Sequence, residues 1–282
     1  MLDQSRTWTP WQPWQGWGGR PTPIEGAEIR WASNLIDAEH ARSAALWGGA
    51  ESEDARMSVI LGEQDAQMSV VWGANDAQMS VVRGAKILVL GSGNGSNFEA
   101  LVKTLRPYGV ECIGLFCDRA DALILSRAQR LGVRCVEPPP PQEWDKRTLN
   151  DAVTGFLEQQ SFDLALLAGY MRVLPPRVVR PFSGKIVNIH PSILPDYPGL
   201  DAIRRAYLAK EAWVGVSVHL VDEGVDEGPI LSQGRIPRHD GESLDSLESR
   251  VHQLEHTLYP WTVLALLAQR RCARRNDLGG ES

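Results

Sequence analysis

Leu164–Ala168 contains no polar side chain, and Lys86–Leu90 is apolar after its first residue. A strand with one face in water alternates polar and apolar residues, so uninterrupted apolar strands belong to a sheet covered on both sides. Between such runs the chain has helical spacing. Ser96 to Leu105 follows the first strand, with Ser96 or Asn97 placed to cap the helix. Glu111–Cys117 then reads as strand, Asp121–Leu131 as helix, and Val133–Val136 as a third strand before the breaker Pro138–Pro141. A helix over about Trp144 to Gln160 leads into Leu164–Ala168, and Ile186–Ile189 follows. Strands alternating with helices predict an α/β domain on a mostly parallel, doubly wound sheet. Val214–Val221 and Pro229–Pro237, joined by the turn Asp222–Gly228, look like antiparallel edge strands. The last predicted element is a long helix, about Leu244 to Ala268, with Ser243 placed to cap it and a kink expected at Pro260.

Residues 1–84 have a different character. Trp8, Trp11, Trp14 and Trp17 recur every third residue among Pro, Gly and Gln, which makes neither a helical nor a strand face. An eleven-residue unit then repeats three times, from Asp54, Asp65 and Asp76, closing at Gly62, Gly73 and Gly84. Solenoid units usually run 20 residues or more, and units this short bury little. The expectation is a poorly ordered extension over 1–84, a domain over 85–268 and a C-terminal tail over 269–282.

A net charge of −6 and a pI near 5.6 argue against a nucleic-acid partner, which would normally call for a basic face. Small molecules fit better. The longest apolar stretches fall short of the roughly 20 residues that span a bilayer, so no membrane partner is expected. Cys112, Cys117, Cys135 and Cys272 show no CxxC spacing, which is the usage of a reducing cytoplasm.

Three constellations carry chemistry. In Gly91-Ser-Gly-Asn-Gly95-Ser96-Asn97, a glycine turn opens a helix, and exposed amides there bind phosphate. Ser96 stands where a dinucleotide fingerprint needs its third glycine, and the lysine of a nucleotide-triphosphate loop is missing. A single phosphate suits the loop; a tight turn with no ligand is the bland alternative. Asn188 and His190 are two apart at a strand end, so both side chains leave on one side. An amide donor beside an imidazole can bind the developing oxyanion of acyl transfer. A carboxylate of the acidic turn, Asp222, Glu223, Asp226 or Glu227, could then orient His190 and raise its pKa.

Gly93-Asn-Gly-Ser-Asn97, Leu167-Ala-Gly-Tyr-Met-Arg-Val-Leu174, Asn188-Ile-His-Pro-Ser192 with Leu194-Pro-Asp-Tyr-Pro-Gly199, and Asp226-Glu-Gly-Pro229 occur in this order. Together they resemble the phosphoribosylglycinamide formyltransferases, over about residues 85 to 268. Related enzymes that formylate methionyl-tRNA usually follow the His with Ala-Ser, and formyltetrahydrofolate hydrolases with His-Ser; here Pro191-Ser192 follows His190. The resemblance implies a Rossmann-like formyltransferase fold and transfer of formyl from 10-formyltetrahydrofolate, as co-substrate and without metal, to the amine of glycinamide ribonucleotide. It makes Asn188 and His190 catalytic and Asp226 the carboxylate that tunes His190. It assigns Gly95, Ser96 and Asn97 to the ribonucleotide phosphate and Glu255 to the glycinamide end. Arg147, Met171, Arg172, Val173, Leu174 and Asn188 would meet the folate. Asp201-Ala-Ile-Arg204 departs from the expected pattern after Gly199.

His252-Gln-Leu-Glu255-His256 also matches the zinc-protease pattern H-x-x-E-H. Only Asp277 and Glu281 lie downstream as a further carboxylate ligand, which weighs against zinc. His219, on a strand, reads as a hydrogen-bonded supporting residue. The rival functions are a hydrolase releasing formate from the same cofactor and, more remotely, a non-catalytic nucleotide-binding or interaction protein. Oligomeric state is not legible.

Overall fold

The computed structural model describes residues 11–13, 24, 26–32, 80–136 and 145–279. Trp8, Trp14, Trp17, the first two eleven-residue repeats and the Pro138–Pro141 breaker lie outside them. Among the described residues nine strands form one mixed sheet: β1 (Gln12–Pro13), β2 (Glu28–Trp31), β3 (Lys86–Gly91), β4 (Glu111–Cys117), β5 (Cys135–Val136), β6 (Leu164–Leu167), β7 (Ile186–His190), β8 (Trp213–Leu220) and β9 (Ile230–Pro237). Their order is β1-β2-β9-β8-β7-β6-β3-β4-β5. From β7 to β5 every pairing is parallel; β8, β9, β2 and β1 are antiparallel.

The apolar strands are buried on both faces, as their composition requires. Ile87 and Val89 of β3 join one core cluster, while Leu88 and Leu90 join the other. The helices α1 (Ser96–Leu105), α2 (Leu123–Leu131) and α6 (Leu244–Gly279) cover the first face. The second face is covered by α3 (Lys146–Glu158) and α4 (Pro176–Val179). A short α5 (Ala202–Leu208) follows the loop after β7. After β3 the chain builds outward through β4 to β5 and then returns to place β6 and β7 on the opposite side. The strand order therefore reverses between β3 and β6, where ligand crevices form in such sheets.

Two local expectations change. The start of α1 has no side-chain cap: Gly95, in the left-handed region at φ 79, is its N-cap. A Cβ there would lie 2.6 to 2.8 Å from Ile124 atoms of α2, so only glycine fits this close approach. The final helix does not stop near Ala268 but continues to Gly279 through Pro260. Arg271 holds the added turns by bonding to the Arg83 carbonyl at 2.8 Å and to Asp163 at 3.3 Å, and Arg270 bonds to the Gly184 carbonyl. The cap at Ser243 is present, its hydroxyl receiving the Ser246 amide at 3.2 Å.

The extension also contributes to the sheet. Pairing of β2 with β9 sets Glu28 opposite Arg235 and Trp31 opposite Ser232. Ile24, Ala27 and Trp31 are buried in the first core cluster. The expectation of a poorly ordered extension over 1–84 does not hold at these residues. Two physical gains offset the ordering cost: apolar area leaves water, and the outer backbone groups of β9 find partners. A four-residue strand among Trp, Pro and Gly is too short to show a period.

Candidate active site

Asn188 and His190 lie at the carboxyl end of β7, and register brings them opposite His219 and Ser217 of β8. The turn from β8 to β9 returns Asp226 to the same point. Asp226 adopts a left-handed backbone, φ 57, a conformation that Asp tolerates better than most residues. Its Oδ2 lies 3.2 Å from His190 Nδ1 and accepts the Gly199 amide at 2.8 Å. Of the four acids in the turn it is the one that reaches His190. Asp222 instead accepts the Gly224 amide, and Glu223 pairs with Arg180 at 2.6 Å.

Burial by itself pushes the Asp226 carboxyl up. His219, which donates to it only when both its ring nitrogens are protonated, the Gly199 amide and the charge of His190 outweigh that and hold it down at about 2. Burial also pushes His190 down, and the Tyr197 carbonyl and Asp226 recover only part of the loss, so its pKa stays below the ordinary imidazole value. The expected net rise at His190 is thus corrected to a fall, because the ring is 5% exposed and desolvation dominates. Its Nε2 is 2.9 Å from the Tyr197 carbonyl, so acceptors face both ring nitrogens.

His219 is buried, with Nδ1 3.0 Å from the Leu220 carbonyl and Nε2 3.1 Å from Asn188 Nδ2. A carbonyl only accepts, so Nδ1 carries the proton and Nε2 of the neutral ring accepts from the amide. Asn188 Nδ2 is also 3.4 Å from Asp226 Oδ1, and that oxygen is 3.6 Å from His219 Nε2. The two acceptors sit close enough together for one amide N–H to serve both. The second N–H is left for a ligand. Sequence reasoning named His219 only as a supporting residue; its place opposite Asn188 follows from strand register.

The glycine turn lies beside this cluster. Ala168 N donates to the Leu90 carbonyl at 2.8 Å, Ser92 N to Gly169 at 3.0 Å, and Met171 N to Ser92 Oγ at 3.0 Å, so the loops after β3 and β6 are tied together. Gly95, Ser96 and Asn97 open α1 with first-turn amides that no side chain caps. Asn97 turns its side chain to α6, where Nδ2 donates to Glu255 Oε2 at 2.9 Å. Glu255 is 4% exposed and also meets His252 Nδ1 at 2.9 Å, a bond that raises the His252 pKa. The carboxylate of the H-x-x-E-H stretch is thereby directed at the glycine turn.

Met171 and Val173 are exposed beside the Asn188 strand, whereas Leu174 is buried in the second core cluster and offers only its backbone to a ligand. Arg172 is committed to Asp118 at 2.5 Å. Arg147 is not brought to the other site residues: it stands exposed on the first turn of α3, 3.9 Å from Asp151. Its local sequence could not separate a ligand contact from a surface charge, and a solvated arginine needs no other partner.

Residues 85–263 match the family model described as formyl transferase. The chain belongs to the formyl transferase family. This formyl transferase is 38% identical over 184 residues to the phosphoribosylglycinamide formyltransferase of Bacillus subtilis, covering 64% of this chain and 94% of the relative. The protein of the same name from Escherichia coli is 35% identical over 180 residues, 63% of this chain and 84% of that one. Among solved structures, glycinamide ribonucleotide transformylase 1 from Geobacillus kaustophilus superimposes with a TM-score of 0.62 at 40% identity, covering 65% of this chain and 98% of that one. The fold of the formyl transferase is therefore the mixed, mostly parallel sheet expected, and β1 and β2 lie outside the matched domain. No described helix is long and apolar enough to cross a membrane.

Proposed function

We propose that this formyl transferase moves a formyl group from 10-formyltetrahydrofolate to the primary amine of glycinamide ribonucleotide, a step of purine synthesis. The observation that carries the reading is the convergence of Asn188, His190 and Asp226 within 3.4 Å at a strand end beside a glycine turn. The names of the relatives agree with it. Amides of Gly95, Ser96 and Asn97 take the phosphate, and Glu255, a buried carboxylate beside them, faces the polar remainder of the ribonucleotide. Exposed Met171 and Val173, with the 171–174 backbone, suit a flat, partly apolar ring system that carries polar edges. Free thiols at Cys112, Cys117 and Cys135 suit a cytoplasmic setting.

The neutral amine attacks the formyl carbon, and negative charge gathers on the formyl oxygen. The unused N–H of Asn188 donates to that oxygen. The same oxygen replaces the Tyr197 carbonyl as acceptor at His190 Nε2, and Asp226, ionised at any neutral pH, stabilises the imidazolium. As the bond from the formyl carbon to the folate nitrogen breaks, His190 gives its proton to that nitrogen and takes back the proton that the attacking amine loses. Asp226 acts through His190 and Asn188 and does not itself give up a proton.

A coupled assay with 10-formyltetrahydrofolate and glycinamide ribonucleotide tests the reading. Expected is folate release that depends on the ribonucleotide, with little formate formed when it is omitted. Formate release at the same rate without the ribonucleotide identifies a hydrolase instead.

A further inference from the structure

Arg30 of β2 reaches across to β9. Its Nε donates to Gln233 Oε1 at 2.9 Å, and Nη2 bonds to the same oxygen. Gln233 is fully buried, and its Nε2 donates to the Leu194 carbonyl at 2.9 Å and to Ser217 Oγ at 2.7 Å. Ser217, also fully buried, stands opposite His190 in the β7–β8 register. Its hydroxyl donates to the Ser192 carbonyl at 2.7 Å and receives the Leu194 amide at 3.0 Å.

A guanidinium only donates, so the Gln233 oxygen must face Arg30 and its NH2 must face the loop after His190. Both amide hydrogens then have acceptors, which leaves the Ser217 proton a single use, the Ser192 carbonyl. Each donor direction follows from the one before it. The series starts in the extension and ends on Ser192 and Leu194, between His190 and the Tyr197 carbonyl that faces it.

The start of the series is itself held in place. Arg30 lies 4.5 Å from the Trp11 ring, and Arg235 lies 4.3 Å from both Trp11 and Trp213 while pairing with Glu28 at 2.7 Å. The family match covers residues 85–263, so Trp11, Glu28 and Arg30 lie outside the shared domain, and Trp213 and Arg235 within it.

We propose that Arg30 is a positioning residue for formyl transfer: through Gln233 and Ser217 it fixes the Ser192–Leu194 segment and hence the setting of His190 between Asp226 and the reacting oxygen. This rests on the reading of His190 as catalytic. Without Arg30 the Gln233 oxygen is a buried acceptor with no partner, so nothing fixes the amide's orientation and its hold on the Leu194 carbonyl weakens.

The test uses the full-length chain with Arg30→Ala, Arg30→Lys, Gln233→Leu and the double variant Arg30→Ala with Gln233→Leu. For Arg30→Ala the expected result is a kcat lower by about tenfold. The KM for the ribonucleotide should stay within about twofold, because the glycine turn follows β3, away from this edge. Arg30→Lys should recover most of the rate, and the double variant should be no slower than Gln233→Leu alone. The Leu194 amide should exchange hydrogen faster in Arg30→Ala. If that variant does not fold, Arg30→Met, which keeps an apolar stem without donors, takes its place. Unchanged kcat, unchanged Leu194 exchange, or losses that multiply in the double variant would overturn the proposal. A wild-type protein inactive toward glycinamide ribonucleotide would overturn the catalytic reading, and the Leu194 exchange rate would still decide the positioning contact.

Discussion

His190 Nδ1 lies 3.2 Å from Asp226 Oδ2, joining the end of β7 to the turn that follows β8. The pair is nearly dry, with the His190 side chain 7% and the Asp226 side chain 11% exposed. Water therefore screens the attraction weakly, and the protonation of one partner depends strongly on the other.

Replacing the charge tests that dependence. Asp226→Asn keeps the shape but removes the charge that holds the imidazolium, so the His190 pKa should fall further below its already lowered value. The sign follows: the part of kcat that needs protonated His190 is present below that pKa and lost as pH rises through it. Its midpoint should move to lower pH, with kcat at neutral pH reduced. A kcat-against-pH profile checks this, and a midpoint that does not move removes Asp226 from the tuning role.

Acid stability depends on the same carboxylate. Asp226 titrates at about 2 in the fold, below the ordinary aspartate value of about 3.9, so the unfolded chain takes up this proton first. Its contribution is complete above about pH 4 and is lost as pH falls toward about 2. Urea midpoints of the wild type and Asp226→Asn should differ more at about pH 5 than at about pH 2.5. A constant difference would show that Asp226 has the same pKa folded and unfolded.

Asn188→Ala removes the amide that donates to the reacting oxygen. The expected loss is about 3 kcal/mol of transition-state stabilisation, on the order of a hundredfold in kcat. Binding of a folate analogue, followed by fluorescence, should be nearly unchanged. Turnover within about threefold of wild type would mean that another group serves the oxyanion.

Gly95→Ala puts a methyl 2.6 Å from Ile124 Cγ1 and 2.8 Å from Ile124 Cα, at a left-handed φ. Backbone must move, so α1 should shift its first turn. The expected result is about 1–3 kcal/mol less stability and a KM for the ribonucleotide raised by about tenfold or more, with a smaller effect on kcat. Titration of the ribonucleotide with and without saturating folate checks it. A KM equal to wild type would separate the glycine turn from phosphate binding.

Much of the site was legible because its signals are local. The glycine turn is compact in sequence, and Asn188 and His190 are two residues apart on one strand. The choice of Asp226 among four acids was not legible from the turn alone. It depends on a left-handed backbone at that residue and on the Gly199 amide that arrives from another loop. Glu255 also fell within the outline of a metal motif, and its orientation toward Asn97 was not legible because it depends on how α6 lies across α1. The sign of the His190 shift was missed for the same reason: burial is a property of everything packed around the ring.

The sequence by itself determined the two-sided apolar strands, their alternation with helices, and the glycine turn that opens α1, because backbone period and steric demand act over a few neighbouring residues. Tertiary structure alone decided which acid meets His190, which carboxylate meets Asn97, and that Arg30 of the extension joins the sheet beside Gln233. Those are pairings between residues far apart in the chain. They are selected by the total apolar area buried and by mutual satisfaction of buried donors and acceptors, and neither quantity exists until the strands are in order.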